Sequence, residues 1–348
     1  MKLFKSLLVA PATLGLLAPL SATANEVTIN DFNPAEELAV TNSRVDGLEA
    51  RLNNFEAGSF SETTSASFGS NFYVGAVESS ATGEAVTFSY DFSMGLSTSF
   101  TGEDSLDVAV IGGNAGTTAV DGYMGGDDTT DALVLDGISY TFPLGGATVV
   151  VGDGVGVDDL NTGACAYSAF TDLLSDCGTS NVGGSADSAF AIAYDFDNGF
   201  TLAGGAGGGT GTDGFFTEED ASTIGLEAAY TADTYGLSVA YTDDEATTYW
   251  TVNAMLAPEG FPSISVGYET DDDDADAIFA GLTFEEVGPG SVSLGMASTA
   301  TDADDFYQYE LSYSYPLNDG MTITPGVFIA ESAGEDETGF VVTTSFSF

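Results

Sequence analysis

Gly339 to Phe348 reads GFVVTTSFSF. Successive side chains of an extended strand point to opposite faces. Phe340, Val342, Thr344, Phe346 and Phe348 therefore share one face, and Val341, Thr343, Ser345 and Ser347 share the other. One face is apolar with aromatic ends, and the other is mostly hydroxyl. Such a strand suits a wall with lipid on one side and water on the other. It equally suits the last strand of a soluble sandwich, so the rest of the chain has to decide.

Residues 1–24 read as a secretory signal. Lys2 and Lys5 form a basic start, Leu7 to Leu20 an apolar middle, and Ala22-Thr23-Ala24 a cleavage site before Asn25. The apolar run is short and broken by Pro11 and Pro19, which rules out a spanning helix. No later segment approaches one. If the exported chain crosses a membrane, it does so as strands.

Charge narrows the function. The only basic residues are Lys2, Lys5, Arg44 and Arg51, and there is no His. Of the 54 acidic residues six precede residue 52, which leaves 48 after it. A segment this acidic repels nucleic acid and concentrates cations. With 43% hydrophobic residues and abundant Phe and Tyr, a folded β protein with acidic loops is expected, not a disordered chain. Without His, and with two Cys, ordinary zinc sites, haem ligation and Ser-His or Cys-His catalysis are excluded. No enzyme, cofactor or metal residue is assigned. Asp271 to Asp274 lacks the EF-hand spacing, so diffuse screening by counter-ions is expected there. Gly204 to Gly211 is no phosphate loop, because no Lys follows it. In an exported chain Cys165 and Cys177 are expected to form a disulfide.

Residues 25–34 form a polar linker. Over 35–57, Leu38, Val45 and Leu52 recur seven apart with Thr41, Leu48 and Phe55 between them, which predicts a short oligomerising coiled-coil helix. From residue 58 to 348 the helical period disappears. Sixteen strands are predicted, with fourteen as the alternative. They begin near Ser65, Ala85, Ser105, Leu133, Ala147, Ser188, Thr201, Ser222, Gly236, Tyr249, Ser263, Ala277, Ser291, Phe306, Met321 and Gly339. Tyr307, Tyr309, Leu311, Tyr313 and Tyr315 oppose Gln308, Glu310, Ser312 and Ser314, and other strands repeat the pattern. Polar or small inward residues suit a water-filled barrel.

The connections alternate in kind. Tight turns such as Asp197-Asn198-Gly199 and Asn318-Asp319-Gly320 supply the positive φ of hairpins. Between them lie acidic connections, including Asp243-Asp244-Glu245 and Asp271 to Asp276, expected to be longer. Short turns on one rim and long loops on the other describe a transmembrane antiparallel β-barrel. An even strand count leaves both barrel ends on the short-turn, periplasmic side, with the Gly339 strand pairing with the Ser65 strand. Pro325 inside a strand predicts a bulge. Period-2 reading turns Asp91, Asp107, Asp195, Glu227, Glu269 and Glu310 inward as pore-lining acids with no basic partner.

Several segments resemble a known family: Arg44-Val45-Asp46-Gly47-Leu48-Glu49-Ala50-Arg51 running into Phe60-Ser61-Glu62-Thr63-Thr64, Phe261 to Tyr268, Asn318 to Phe328, and Thr338 to Val342. They are similar to the major outer-membrane porins of cyanobacteria, especially marine forms, related to the carbohydrate-selective porins. The resemblance implies passive diffusion of small hydrophilic solutes and inorganic ions, a homotrimer in outer-membrane lipid, and a terminal Phe348 read by the barrel assembly machinery. In such porins the third long loop, here 156–187 with both Cys, narrows the lumen; an ordinary stapled surface loop is the other reading. Two departures stand out. No S-layer-homology domain fits between Asn25 and Ala35, and the barrel has no Lys or Arg. Cation preference is therefore expected. The alternative is a non-conducting exported acidic β protein: a receptor, an adhesin or a structural outer-membrane protein.

Overall fold

The computed structural model describes residues 63–348 apart from 79–84, 117, 180–187, 209–215, 218–220, 273–274, 301–304 and 332–335. The expected signal, linker and coil lie outside the described residues, and no helix among those residues is long and apolar enough to cross a membrane. Sixteen strands appear: β1 (Thr64–Glu78), β2 (Thr87–Thr98), β3 (Ser105–Gly113), β4 (Val134–Leu144), β5 (Ala147–Asp153), β6 (Ser188–Asp195), β7 (Phe200–Gly208), β8 (Ser222–Ala232), β9 (Tyr235–Asp243), β10 (Thr248–Leu256), β11 (Ser263–Asp271), β12 (Asp276–Val287), β13 (Gly290–Ala300), β14 (Asp305–Asn318), β15 (Met321–Glu331) and β16 (Asp336–Ser347). Each pairs antiparallel with its neighbours, and β16 closes on β1 in a ring without edges. The sixteen-strand expectation holds, and the fourteen-strand alternative falls.

The faces follow from parity. Tyr307, Tyr309 and Leu311 are exposed on the outside of β14, whereas Glu310 and Ser312 are buried on the inside. Around the ring, Phe190, Ile192, Leu226, Leu237, Val266, Ile278 and Leu294 also stand exposed. Water penalises a continuous apolar belt of this size, and hydrocarbon accommodates it. With no edge left, every ladder bond is satisfied inside the barrel.

Two expectations need correcting. Pro325 causes no register shift: Ser312 pairs with Gly326 and Tyr315 with Ile323 in one register, and the irregularity lies at Pro316/Asn318, beside the turn. Pro325 keeps its register with Val342 on β16 and has no partner in the β14–β15 register, so no extra residue is needed there. The long connections do fall on the expected rim, but four of its acidic connections are short. Connections 244–247 and 272–275 are shorter than 99–104 and 257–262 on the opposite rim. The ladder continues into the acidic segments, so Asp243, Asp271, Asp276, Asp305 and Asp336 are strand residues. The large connections are those after β3, β5 and β7, all on the acidic rim.

Candidate functional site

Apolar packing lies inside the ring, where two connections turn inward. The one after β3 carries helix α1 (Ala119–Met124). A capping box starts it: the Thr118 side chain accepts from Asp121 N, and the Asp121 carboxylate accepts from Thr118 N. Gly125, at φ 63°, ends it in the left-handed conformation. Val120 is buried with Tyr73, Val77, Ala115, Phe170, Phe328 and Val341. The Tyr123 ring centroid lies 4.5 Å from that of Phe328, and its hydroxyl donates to Glu337 on β16. Ser89 donates to Asp121. Burial, then the Glu337 carboxylate, pushes the Tyr123 phenol upward in pKa.

The connection after β5 is described over 154–179 and crosses the inner wall. Val157 packs against Gly205 and Gly225. Thr162 N and Gly163 N donate to Glu227 at 2.7 and 2.9 Å. Ala166 N donates to Ser265 Oγ at 2.9 Å, and Ser168 N to Thr283 Oγ1 at 3.3 Å. Glu310 accepts from the Tyr167 hydroxyl at 2.7 Å, Phe170 N at 2.7 Å, Thr171 N at 2.9 Å and Thr171 Oγ1 at 2.5 Å. The Tyr167 ring stands edge-on to Phe279 at 5.0 Å, next to buried Leu174 and Cys177. Cys165 and Cys177 are bridged, with Cα atoms 5.9 Å apart. Burial pushes the Asp158 and Asp159 carboxyls of this loop upward.

The predicted inward acids fall in different surroundings. Asp91 is buried and accepts from Asn71 N at 3.2 Å, Asn71 Nδ2 at 2.9 Å and the Tyr73 hydroxyl at 2.5 Å. Glu227 and Glu310 meet on the same loop. Glu269 is buried, accepts from Thr251 Oγ1 at 3.2 Å, and borders a cavity of about 280 Å³ with Asp172, Asp271 and Asp276. Asp107 accepts from Ser105 Oγ at 2.7 Å and borders a cavity of about 220 Å³ whose wall includes Ser67, Ser97 and Ser139. Asp195 is exposed at a tight turn, where it accepts from Asp197 N at 2.8 Å. The described residues hold no Lys, Arg or His, so every one of these carboxylates is met by neutral donors. No group of three or more metal-ligating side chains is found among the described residues.

Sequence reading overlooked the inward glycines. A Cβ on Gly205 would lie 2.2 Å from Val157 O, one on Gly267 2.4 Å from Cys177 O, and one on Gly326 2.4 Å from the Phe170 ring. Only a residue without a side chain lets the loop lie this close to the wall. Their recurrence at inward positions of β7, β8, β11, β12, β13 and β15 was the available signal. Phe340, Val342, Phe346 and Phe348 face outward; Phe346 meets Phe72 edge-on at 5.8 Å, and Phe348 stacks on Phe68 at 5.8 Å.

No protein-family model matches the chain. Over 105 residues, 27% of this chain, it is 38% identical to an uncharacterised protein of Nostoc sp. (strain PCC 7120), of which it spans 18%. Among solved structures it is similar to OprB of Pseudomonas putida, with TM-score 0.58 and 12% identity over 82% of this chain and 93% of that one. It is also similar to an anion-selective porin from Comamonas acidovorans, with TM-score 0.60 and 14% identity over 82% of this chain and all 100% of the other. A loop-deleted OmpT, an outer membrane protein of Vibrio cholerae, matches at TM-score 0.60 and 12% identity, again over 82% of this chain and 100% of that one. The chain thus shares the fold of bacterial outer-membrane porins.

Proposed function

We propose that this chain is an outer-membrane porin of a Gram-negative-type bacterium, and a cyanobacterial one by its resemblance. It passes small hydrophilic solutes and inorganic ions by passive diffusion and prefers cations. The observation that carries this reading is an interior in which the described residues bear carboxylates and hydroxyls without one base, behind an outward apolar belt. Selectivity in such pores follows from width and lining charge. Asp107, which borders open space on the inner wall, attracts cations and repels anions. Homotrimer formation and handling by the barrel assembly machinery belong to the same reading. Reversal potentials across a salt gradient in planar bilayers test it; anion preference overturns the selectivity.

A second reading has one observation behind it. Tyr73, Val120, Phe170 and Phe328 pack together inside the ring, which favours a barrel that conducts little or nothing. Liposomes holding the purified protein separate the two readings. Swelling in small sugars supports the porin, and no swelling supports the non-conducting exported acidic barrel.

A further inference from the structure

We infer that Glu310, with Glu227 as a second anchor, is a positioning residue: it holds the 154–179 stretch of the β5–β6 connection against the inner wall and so sets the width of the path. This deepens the porin reading and rests on it only for the consequence for permeation.

A loop folded into a barrel brings backbone N–H groups that have no strand to pair with, and leaving a buried donor unpaired is costly. Four such donors, on Thr162, Gly163, Phe170 and Thr171, end on two carboxylates. Glu310 receives two donors on each oxygen, which fills the roughly four lone-pair sites of an ionised carboxylate. It is 2% exposed and Glu227 4% exposed, whereas a charge acting on passing ions has to face water. An ionised acceptor makes its hydrogen bonds shorter and stronger than a neutral one does. The chain has no base in this region to compete for either carboxylate.

The disulfide reinforces the arrangement. Cys165 and Cys177 bracket Tyr167, Phe170 and Thr171, so the anchored stretch is a closed ring of 12-residue separation. A constrained ring has less freedom to lose on docking, so one carboxylate fixes the whole segment.

The test uses the full chain folded in detergent, with Glu310→Gln, Glu310→Ala and Glu227→Gln. Amide hydrogen exchange is followed over 160–175 and over the strands. In Glu310→Ala, exchange near Phe170 and Thr171 is expected to rise about tenfold or more, the equivalent of losing charged hydrogen bonds, with the strands unchanged. Glu310→Gln keeps one carbonyl acceptor and lies between. In bilayers, Glu310→Gln is expected to widen the spread of conductance levels while the reversal potential stays at the wild-type value. Unchanged loop exchange together with a shifted reversal potential overturns the inference and makes Glu310 a lining charge. If Glu310→Ala does not fold, Tyr167→Phe with Thr171→Val removes donors from the other side. That pair is expected to loosen the same stretch, and an unaltered loop overturns the inference. A wild-type chain that conducts nothing overturns the porin reading alone, and the exchange result still decides the anchor.

Discussion

Phe348 and Phe68 exchange both backbone hydrogen bonds across the barrel seam, at 2.8 and 3.1 Å, while their rings stack at 5.8 Å. The last residue thus closes the ring by ladder and by aromatic contact together. An aromatic pair contributes about 0.5–1.5 kcal/mol beyond burial. Phe348→Ala and Phe68→Ala are each expected to lower the heat-modification midpoint on gels. A double-mutant cycle should return a coupling in that range, and additive effects would show that the rings do not cooperate.

Asp104 organises the connection between β2 and β3. Its Oδ1 accepts from Ser99 Oγ, Phe100 N, Thr101 N and Thr101 Oγ1, and its Oδ2 accepts from the Tyr140 hydroxyl at 2.6 Å. The Tyr140 bond, then the Thr101 backbone bond, holds the carboxyl well below the usual carboxylate range. An acid depressed on folding stabilises above its unfolded value, about 3.9, and loses that contribution as pH falls through the folded value. Wild type is therefore expected to melt above Asp104→Asn at pH 7. The gap should close progressively below about pH 4; a gap independent of pH would contradict this role.

Asp107 borders open space at the lumen wall. One charge acts on an ion about 4 Å away in water with about 1 kcal/mol. Asp107→Asn is thus expected to lower cation permeability by up to about fivefold at low salt, to lower the cation-to-anion ratio, and to do both by less as salt screens the field. Reversal potentials at two ionic strengths check both parts.

Gly205 leaves room for the loop backbone at Val157, whereas a Cβ on its outward neighbour Gly204 meets the tip of Leu226 at 2.9 Å and the Gly225 carbonyl at 3.3 Å, and nothing of the loop. Gly205→Val is expected to displace the loop and speed its hydrogen exchange in an intact barrel. Gly204→Ala should leave the loop as it is. Equal exchange in both variants would mean that the close approach is dispensable.

Replacing both cysteines by serine opens a ring of 12-residue separation. The chain-entropy relation gives a loss of about 3 kcal/mol for a ring of that size. The cost is expected to fall on the loop, as faster protease cleavage within 154–179. The barrel's heat-modification midpoint should scarcely move, and a collapse of the barrel would show that the bridge holds more than the loop.

Period-2 alternation, as in Tyr307 to Tyr315 and Gly339 to Phe348, gave the inward and outward faces. Sixteen such segments joined by connections of alternating kind gave the strand number and the closure of the last strand on the first. Each strand begins within three residues of where the alternation placed it. Side-chain parity is a local property of an extended chain, so it can be read without knowing what any face meets. The same parity turned Glu227 and Glu310 inward but could not distinguish a carboxylate in water from one filled by amides. Their donors lie 64 and 140 residues away, on a loop with no period of its own. Ladder length at the acidic rim and register at Pro325 likewise depended on the neighbouring strand. The sequence by itself therefore determined the wall, because a strand carries its two faces in its alternation. Only the tertiary structure decided what fills the lumen, because that depends on contacts between residues far apart in the chain.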